Sequence, residues 1–499
     1  MPDTEYLIIG AGFSGLAMAF RLIEAGKKNF RIYERAEELG GTWAANTYPG
    51  CACDVPAHVY SFSFEQKPDW SKLFANQPEL LAYIKGVAAK HDLERYVVYG
   101  KAVTDMAFNE KEYHWSVQTD DGETCTTRFV IAAAGPLATP AMPQIDGLDS
   151  FRGEMFHSAN WRHDVDLTGK AVAVIGTGAS AIQFVPEIVD QVDTLTVFQR
   201  TAPWVLPRME REFTDGELDS FRNRPALARL VRRWLYWRSE MRAIGFFRYP
   251  GLLRVFEWMG KRHLKSQIAD EELRKVLTPN FRFGCKRLLM SNQWYPALAH
   301  EKSEVVTAPI KRIVSDGIEL EAGRMLKADV IIMGTGFHAT EPMPGINVTG
   351  RSGKNLHEEW SGKGAEAFLG SSVSGYPNLF MLLGPNTGLG HNSVVYMAEA
   401  QIEGILRLIA KADEKQAATI EVTEKAQAEF NHTLQERLSK SVWQTGGCDS
   451  WYKTEGGRNT TLWPAHTFDF RKQATNLPLE AFSLSATVTK KSIETQAPE

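Results

Sequence analysis

The stretch "YLIIGAGFSGLAMAFRLIEAGKKNFRIYER", residues 6–35, decides the fold that we expect. It begins with an apolar run at 6–9, passes through a glycine turn into a helix, and ends in a second apolar run at 30–34. The glycines follow the G-x-G-x-x-G spacing, which lets the backbone approach a pyrophosphate and turns the amino end of the helix toward it. The stretch therefore predicts one βαβ unit of a dinucleotide-binding domain, with its turn at Gly10, Gly12 and Gly15.

A second stretch, "KAVAVIGTGASAIQFVPEIVDQVDTLTVFQR" at 170–200, repeats the arrangement with G-x-G-x-x-A spacing at Gly176, Gly178 and Ala181. One such motif is weak evidence, but two that are each flanked by a strand and a helix are strong. Three further apolar runs end in small or glycine-bearing turns and fit returning strands, at 128–136, 327–337 and 376–394. We expect an α/β fold with two Rossmann-like dinucleotide-binding domains, for FAD and NADP, and a helical insertion.

The two units differ where the second strand ends beside the adenosine ribose. Glu34 lies 24 residues after Gly10, and Arg200 lies 24 residues after Gly176. A carboxylate at this position accepts hydrogen bonds from ribose hydroxyls, whereas an arginine accommodates a 2′-phosphate. The first unit is therefore predicted to bind FAD or NAD and the second NADP, with Thr201 adding a hydroxyl beside the phosphate. A protein that holds a flavin dinucleotide and NADPH is most simply an electron-transfer enzyme.

Composition narrows the class of protein further. The 499 residues carry a formal net charge of −4, so the chain lacks the overall excess of basic residues typical of nucleic-acid-binding proteins, and we expect no nucleic-acid partner. No apolar run reaches the roughly 18 residues of a membrane span, so no stable membrane insertion is expected. The amino terminus enters a strand almost at once, which predicts a cytoplasmic protein without a signal peptide. Five cysteines in so long a chain predict reduced thiols, and twelve histidines without metal spacing predict no metal site.

The middle of the chain changes character, and it suggests the domain limits. Residues 209–279 are helical, aromatic and basic, which favours an insertion capping a cleft; a membrane-surface role is the alternative. We predict an FAD-binding domain in two parts, 1–150 and 328–483. The linker and the first part of the NADP-binding domain occupy 151–208, and its second part occupies 280–327. A frayed tail is predicted at 484–499.

Four separated motifs resemble those of the class B flavoprotein monooxygenases, and in particular the Baeyer–Villiger monooxygenases of type I. "FRGEMFHSANW" (151–161) is similar to the shared F-x-G-x-x-x-H-x-x-x-(W/Y/F) signature, and "GGTWAANTYPGCACD" (40–54) is similar to a second signature ending in an aspartate. "FGCKRLLMSNQWYPAL" (283–298) resembles the segment that carries an active-site arginine. "CDSWYKTEGGRNTTLWP" (448–464) resembles the C-terminal stretch whose tryptophan meets the nicotinamide end of NADPH.

The resemblance implies roles for particular residues. Arg287 would be the catalytic arginine and Asp54 its carboxylate partner, while Lys286 would turn to the NADP 2′-phosphate and Trp451 to the nicotinamide. Phe151, Gly153, His157 and Trp161 would form a hinge between the domains, so that His157 is not the catalytic base. The cofactor-binding residues expected beside the glycine turns and the second signature are Phe13, Ser14, Arg35, Thr42, Trp43, Asp54, Tyr60, Thr177, Ala179 and Ser180.

The reaction that the resemblance implies is oxygen insertion next to a ketone carbonyl, giving an ester or lactone through a flavin peroxide stabilised by Arg287. The expected partners are thus NADPH, FAD, O₂ and a small-molecule ketone, and the sequence leaves the oligomeric state open. One alternative is a flavin-containing monooxygenase that oxygenates amines or sulfides, because Arg162 follows the signature tryptophan where Baeyer–Villiger members usually carry Pro or Asp. Another is a non-catalytic NADPH-binding sensor.

Two further motifs have less demanding explanations. Cys51 and Cys53 are separated by one residue, which strains a disulfide loop, so we expect them to pack beside the flavin rather than to act as a redox dithiol. His391 and Asn392, in "GLGHNS", are expected to form loop structure near the flavin.

Overall fold

The computed structural model describes residues 2–137 and 139–487, and it contains two sheets whose central strands run parallel. The amino-terminal part forms these elements: β1 Thr4–Ile9, α1 Phe13–Glu24, β2 Phe30–Tyr33, α2 Thr42–Ala45, α3 Gln77–Lys90, β3 Val97–Val98, β4 Val103–Asn109, β5 His114–Thr119 and β6 Thr124–Ala132.

The middle part contains most of the helical insertion. Its elements are β7 Glu154–His157, β8 Ala171–Ile175, α4 Ala181–Ile188, β9 Thr194–Phe198, β10 Val205–Leu206, α5 Asp215–Asn223, α6 Pro225–Phe247, α7 Arg254–Gln267, α8 Glu271–Val276, β11 Leu289–Met290, α9 Trp294–Leu298, β12 Ser303–Val306, β13 Ile310–Val314, β14 Gly317–Leu320, β15 Met325–Lys327 and β16 Val330–Met333.

The carboxyl-terminal part returns to the first sheet and then adds a helical layer. Its elements are β17 Asn347–Thr349, α10 Leu356–Trp360, β18 Leu379–Met381, α11 Val394–Glu414, β19 Ala417–Val422, α12 Glu424–Ser439, α13 Val442–Thr445, α14 Thr467–Thr475 and β20 Phe482–Thr487. Among the helices within 2–137 and 139–487, none combines the length and apolar character needed to cross a bilayer.

The first sheet has the strand order β17-β4-β5-β6-β1-β2-β3, and β18 also pairs with β6. β1 lies between β2 and β6 and is parallel to both, which is the βαβ arrangement predicted for residues 6–35. Ile8 and Ile131 face each other across β1 and β6 without exposure, so the centre of this sheet lies in the core. The buried face of α1 covers it, because apolar residues recur along that helix at 16, 18, 19 and 22.

The second sheet is entirely parallel, in the order β12-β9-β8-β16-β7. All five residues of β8 are buried, as expected for a strand covered on both faces, where an unbroken apolar run replaces alternation. The second unit therefore forms as predicted, with α4 following the turn after β8.

The structure corrects two of the predicted limits. β16 pairs with β7 and β8, so the second sheet continues to Met333. The predicted second part of the FAD-binding domain, which starts at 328, therefore begins too early. The error arose because an apolar run into a glycine turn fits a strand of either sheet. The tail predicted from 484 begins too early as well, since β20 pairs with β19 through Thr487; residues 488–499 lie outside the described residues.

The prediction of reduced thiols is wrong for two of the five cysteines. Cys285 and Cys448, 163 residues apart, form a disulfide. Cys51, Cys53 and Cys125 are free and buried. The spacing of the cysteines does not predict this pair, because only the packing of the two distant segments brings these sulfur atoms together.

Candidate active site at the carboxyl ends of two parallel sheets

One large cavity, with a volume of about 1720 Å³, lies at the carboxyl ends of β1 and β8. Single small-molecule sites usually enclose roughly 300–1,000 Å³, so this cavity has room for more than one ligand. The predicted residues that line it are Gly10, Gly12, Phe13, Ser14, Glu34, Arg35, Thr42, Trp43, Asp54, Tyr60, Gly176, Thr177, Gly178, Ala179, Ser180, Arg200, Thr201, Lys286, Arg287 and Trp451.

The two glycine turns are built alike. Gly10 has φ +103° and Gly176 has φ +114°, values in the left-handed region that favours glycine. A Cβ at Gly10 would lie 2.7 Å from the carbonyl oxygen of Ala133, and one at Gly176 would lie 2.4 Å from that of Gly334. Each turn is therefore pressed against the end of a neighbouring strand, and both turns line the cavity.

Glu34 directly follows β2 and lies inside the protein rather than at its surface. Its carboxylate accepts hydrogen bonds from the backbone N–H of Ala11 at 2.7 Å and of Ala36 at 3.0 Å. The residue is 6% exposed and lies on the cavity wall. An ordinary strand-end charge would be solvated, so this carboxylate both fixes the first glycine turn and keeps lone pairs for a ligand.

The corresponding position of the second unit is cationic. Arg200 is exposed to the cavity and has Thr201 beside it. Lys286, from a distant segment, lines the same cavity, and burial and then the charge of Arg200 lower its pKa. Two cations brought together at the edge of a cavity make a site for a polyanion such as a phosphate.

Arg287 and Asp54 form a forked ion pair on the cavity wall. Arg287 Nε donates to Asp54 Oδ2 at 3.0 Å, and Nη2 donates to Oδ1 at 2.8 Å and to Oδ2 at 2.6 Å. About a third of each side chain is exposed, and that part faces the cavity. Asp54 raises the pKa of Arg287 above its ordinary value, so the guanidinium is a permanent cation.

Tyr452 was missed by the sequence analysis, which selected its neighbour Trp451. Trp451 is 42% exposed, whereas Tyr452 is buried and lines the same cavity, with its ring centroid 4.4 Å from that of Trp451. Burial raises the pKa of Tyr452 to about 12, against the opposing effect of Arg287. The disulfide at Cys448 anchors this segment to the one that carries Arg287. Adjacent aromatics in one motif were the only available signal.

The wall beside the first glycine turn is aromatic. Trp43 Nε1 donates to Tyr60 Oη at 3.3 Å, and the two rings meet edge to face. Phe13 packs against Tyr60 at 5.1 Å between ring centroids. Cys51 and Cys53 lie on the same wall as buried free thiols, and burial raises the pKa of Cys51 to about 11.

The signature segment at 151–161 does not contribute to the cavity lining. His157 ends β7, is 4% exposed, and its Nδ1 accepts the backbone N–H of Ala159 at 3.0 Å. Trp161 packs between Phe156 and Phe184, at 5.3 Å and 5.2 Å between ring centroids. The segment is thus an edge strand of the second sheet that passes directly into a packed turn.

Two polar links that the sequence did not reveal join distant elements at this site. Gln183, on α4, accepts from Tyr48 Oη at 2.9 Å and donates to the Ala52 carbonyl at 3.0 Å. Glu240, on α6, accepts from Asn392 Nδ2 at 2.6 Å, and Asn392 lies on the cavity wall. No motif marks a polar residue whose partners lie more than a hundred positions away.

The helical insertion does not cap the cavity. None of the described residues between 204 and 285 belongs to the cavity lining. The insertion instead packs on the loop at 58–66 and on the segments near 392 and 466, through Arg232 and Glu240. The predicted cap is therefore wrong, because the polar residues of α6 bind backbone and side chains beside the cavity rather than closing over it.

Residues 7–213 match a protein family described as pyridine nucleotide-disulphide oxidoreductase. This span covers the second half of β1 and all of β2 to β6 in the first sheet, and β7, β8 and β9 in the second.

Several named proteins are similar to nearly the whole chain. A Baeyer–Villiger monooxygenase of Pseudomonas aeruginosa is 46% identical over 96% of this chain and 91% of its own. The structure of cyclohexanone monooxygenase from Rhodococcus sp. Phi1 bound to NADP⁺ matches with a TM-score of 0.87 and 27% identity, over 98% of this chain and 100% of the other. The structure of OTEMO in complex with FAD and NADP matches with a TM-score of 0.88 and 28% identity, over 97% and 100%.

Proposed function

Because this chain belongs to the Baeyer–Villiger monooxygenases, we propose a division of work among the residues of its cavity. The enzyme depends on FAD and NADPH and inserts one atom of O₂ next to a ketone carbonyl, which gives an ester or lactone. The observation that carries the division is the forked Arg287–Asp54 pair on a wall shared by both glycine turns.

The residues fit two dinucleotides. The turn at Gly10 and the carboxylate of Glu34 would hold FAD, with Trp43 and Tyr60 beside it. The turn at Gly176 would hold the pyrophosphate of NADPH, with Arg200, Thr201 and Lys286 at its 2′-phosphate and Trp451 at its nicotinamide. When bound, NADPH supplies a hydride and the flavin activates O₂.

Arg287 supplies the fixed positive charge of the reaction. Oxygen insertion places negative charge on the carbonyl oxygen of the ketone as that carbon is attacked, and a donor fork already in place stabilises it without reorganisation. Arg287 cannot lose its proton, since Asp54 raises its pKa further. Asp54 is a positioning residue, because it holds two guanidinium nitrogens of Arg287 in one orientation.

The signature segment acts at the junction of the domains. We assign FAD to the first-sheet region, 1–150 and 334–487, and NADP to 151–333, with the insertion at 209–279. Phe151, Gly153, His157 and Trp161 then stand where the chain enters the second region. This placement supports a hinge role, and the enclosure of His157 away from the cavity lining argues against proton transfer to substrate.

The test compares Arg287→Ala, Asp54→Asn and the distant control Arg324→Ala, an exposed arginine paired with Glu304. Purified holoenzymes receive NADPH, O₂ and each of cyclohexanone, acetophenone and a long-chain 2-alkanone, and ester formed is divided by NADPH consumed. We expect Arg287→Ala to keep both dinucleotides but to lose ester formation by a factor of about 100 to 1,000. The electrons of the consumed NADPH then reduce O₂ to hydrogen peroxide instead of forming ester.

Asp54→Asn is expected to show a milder loss of the same kind, and Arg324→Ala none. An unchanged ester ratio and rate in Arg287→Ala would remove this arginine from the mechanism. Thioanisole is assayed in parallel, because sulfoxide formation with no ester from any ketone would instead indicate heteroatom oxygenation.

A further inference from the structure

The helical insertion carries a face that the described part of the fold leaves uncovered. Four large apolar side chains of α6 are exposed to solvent, at a spacing of four, three and four residues. That spacing places them on one side of a helix, and the residues are Leu230, Trp234, Trp237 and Met241. Trp237 also packs on Phe468 at 5.6 Å between ring centroids, and Phe468 is itself exposed, which extends the face beyond α6.

A second exposed apolar row follows directly. Leu252, in the turn before α7, and Val255 and Trp258, on α7, are spaced three residues apart, and all three are exposed. The short segment 248–253 joins the two helices, and a Cβ on Gly245, near the end of α6, would lie 2.8 Å from Leu253 of that segment. Exposed apolar groups on a soluble surface are usually scattered, so two such rows on consecutive helices indicate a contact surface.

The charge of this surface has one sign. Residues 225–267 contain ten basic and two acidic residues, although the whole chain is slightly negative. Both acids are turned inward: Glu240 is 1% exposed and Glu257 pairs with Arg282 at 2.7 Å. Seven of the bases are exposed, namely Arg229, Arg233, Arg248, Arg254, Lys261, Arg262 and Lys265.

The bases stand beside the apolar rows rather than apart from them. Arg229 and Arg233 precede Leu230 and Trp234 by one position, and Arg238 lies over the Trp234 ring at 5.0 Å. Helices with tryptophan and leucine on one side and flanking arginine and lysine lie in the interface of anionic bilayers, where the rings reach the acyl boundary and the cations meet phosphates.

A second copy of the chain fits this surface less well. Closed dimers use the same patch on both subunits, so a symmetric contact would place one set of exposed cations against the other without acids to separate them. A lipid surface brings the opposite charge. We propose that the exposed face of α6 and α7 docks on bilayers containing anionic phospholipid, a property independent of the oxygenation reaction.

The test is flotation of the holoenzyme with two kinds of vesicle. One is pure phosphatidylcholine, and the other contains about 30% phosphatidylglycerol. We expect wild type to float with the anionic vesicles only, and to be released by about 0.5 M NaCl, which screens surface charge. Trp234→Ser with Trp258→Ser, and separately Arg229→Glu with Arg233→Glu, should lower the partition coefficient by about tenfold or more.

Matched controls carry the same changes elsewhere. Met325→Ser with Leu479→Ser alters exposed apolar residues, and Lys111→Glu with Lys327→Glu alters exposed bases; both should float like wild type. Flavin content and NADPH oxidation should be unchanged in all variants, because none of these residues lines the cavity.

Three results would overturn the proposal. If wild type does not float with anionic vesicles, the face does not bind anionic bilayers. If the variant with both tryptophans replaced floats like wild type, another part of the chain binds the lipid. Sedimentation that finds a dimer broken by Trp234→Ser and Trp258→Ser, without flotation of wild type, assigns the face to contact between copies.

Discussion

At the residue scale, the second glycine unit and Arg200 predict a preference for the phosphorylated nicotinamide dinucleotide. Arg200→Ala should lose a charge-assisted contact worth roughly 1.5 to 3 kcal/mol with NADPH and almost nothing with NADH. This corresponds to an increase of about one to two orders of magnitude in KM for NADPH. Steady-state assays with both dinucleotides measure it, and Lys327→Ala, an exposed base far from the cavity, is the control. An unchanged preference would show that another residue reads the 2′-phosphate.

Glu34 predicts the complementary effect on FAD. Glu34→Ala should weaken FAD retention by about ten- to a hundredfold, since the carboxylate holds the Ala11 N–H and is placed for the ribose hydroxyls. The flavin absorbance per protein after gel filtration gives the result, with exposed Glu37→Ala as control. Weaker NADPH binding with full flavin content would mean that the two dinucleotides are assigned the wrong way round.

At the scale of elements, the loop at 58–66, on which the helical insertion packs, makes the stability of the fold depend on pH. His58 is 2% exposed between Phe213 and Phe221, and burial, aided by Arg232, lowers its pKa to about 4. At pH 5 the unfolded chain protonates this histidine and the folded one does not, so folding loses stability as pH falls from about 6.5 toward 4. The loss between pH 7 and pH 5 is about 2 kcal/mol.

Denaturant titrations at both pH values test this contribution. His58→Leu should show a smaller loss of unfolding free energy than wild type by about that amount. If wild type and variant lose stability in parallel between pH 7 and pH 5, His58 does not contribute to the slope.

The Cys285–Cys448 disulfide joins two segments of the site, and its reduction should lower the stability of the fold. A cross-link between residues 163 apart removes much chain entropy from the unfolded state and typically stabilises by about 2 to 5 kcal/mol. Adding a phosphine reductant should lower the thermal midpoint of wild type. Cys448→Ser should start from the lower midpoint and not respond, and a wild-type midpoint indifferent to reductant would contradict the expectation.

The same elements show where sequence reasoning succeeds and where it ends. The glycine turns, Glu34 and Arg200 were predictable, because a phosphate-binding turn is a local structure with fixed offsets along the chain. The Arg287–Asp54 contact was an expectation from resemblance and appears in the structure as a forked ion pair. Tyr452 and the Cys285–Cys448 bond were not predictable, since they depend on how segments far apart in the sequence pack.

At the scale of the whole molecule, the fold class and the two nucleotide units followed from periodicity and spacing, whereas the limits between regions did not. Every buried parallel strand is a short apolar run in the sequence, so periodicity alone does not distinguish which sheet β16 joins. The position of the insertion was also not predictable. Its aromatic character suggested a cap over the cavity, but its apolar rows are exposed to solvent and none of its described residues lines the cavity.

The division of the first sheet around the second has a consequence for biosynthesis. The last strand of the second sheet is β16, so all of its strands have been translated once Met333 is made. The first sheet still lacks β17 and β18 at that moment, and β6 has only its neighbours β1 and β5. Because domains fold as units during synthesis, the nascent chain completes its second domain first, while the first sheet keeps an open edge along β6 until residues 379–381 emerge from the ribosome.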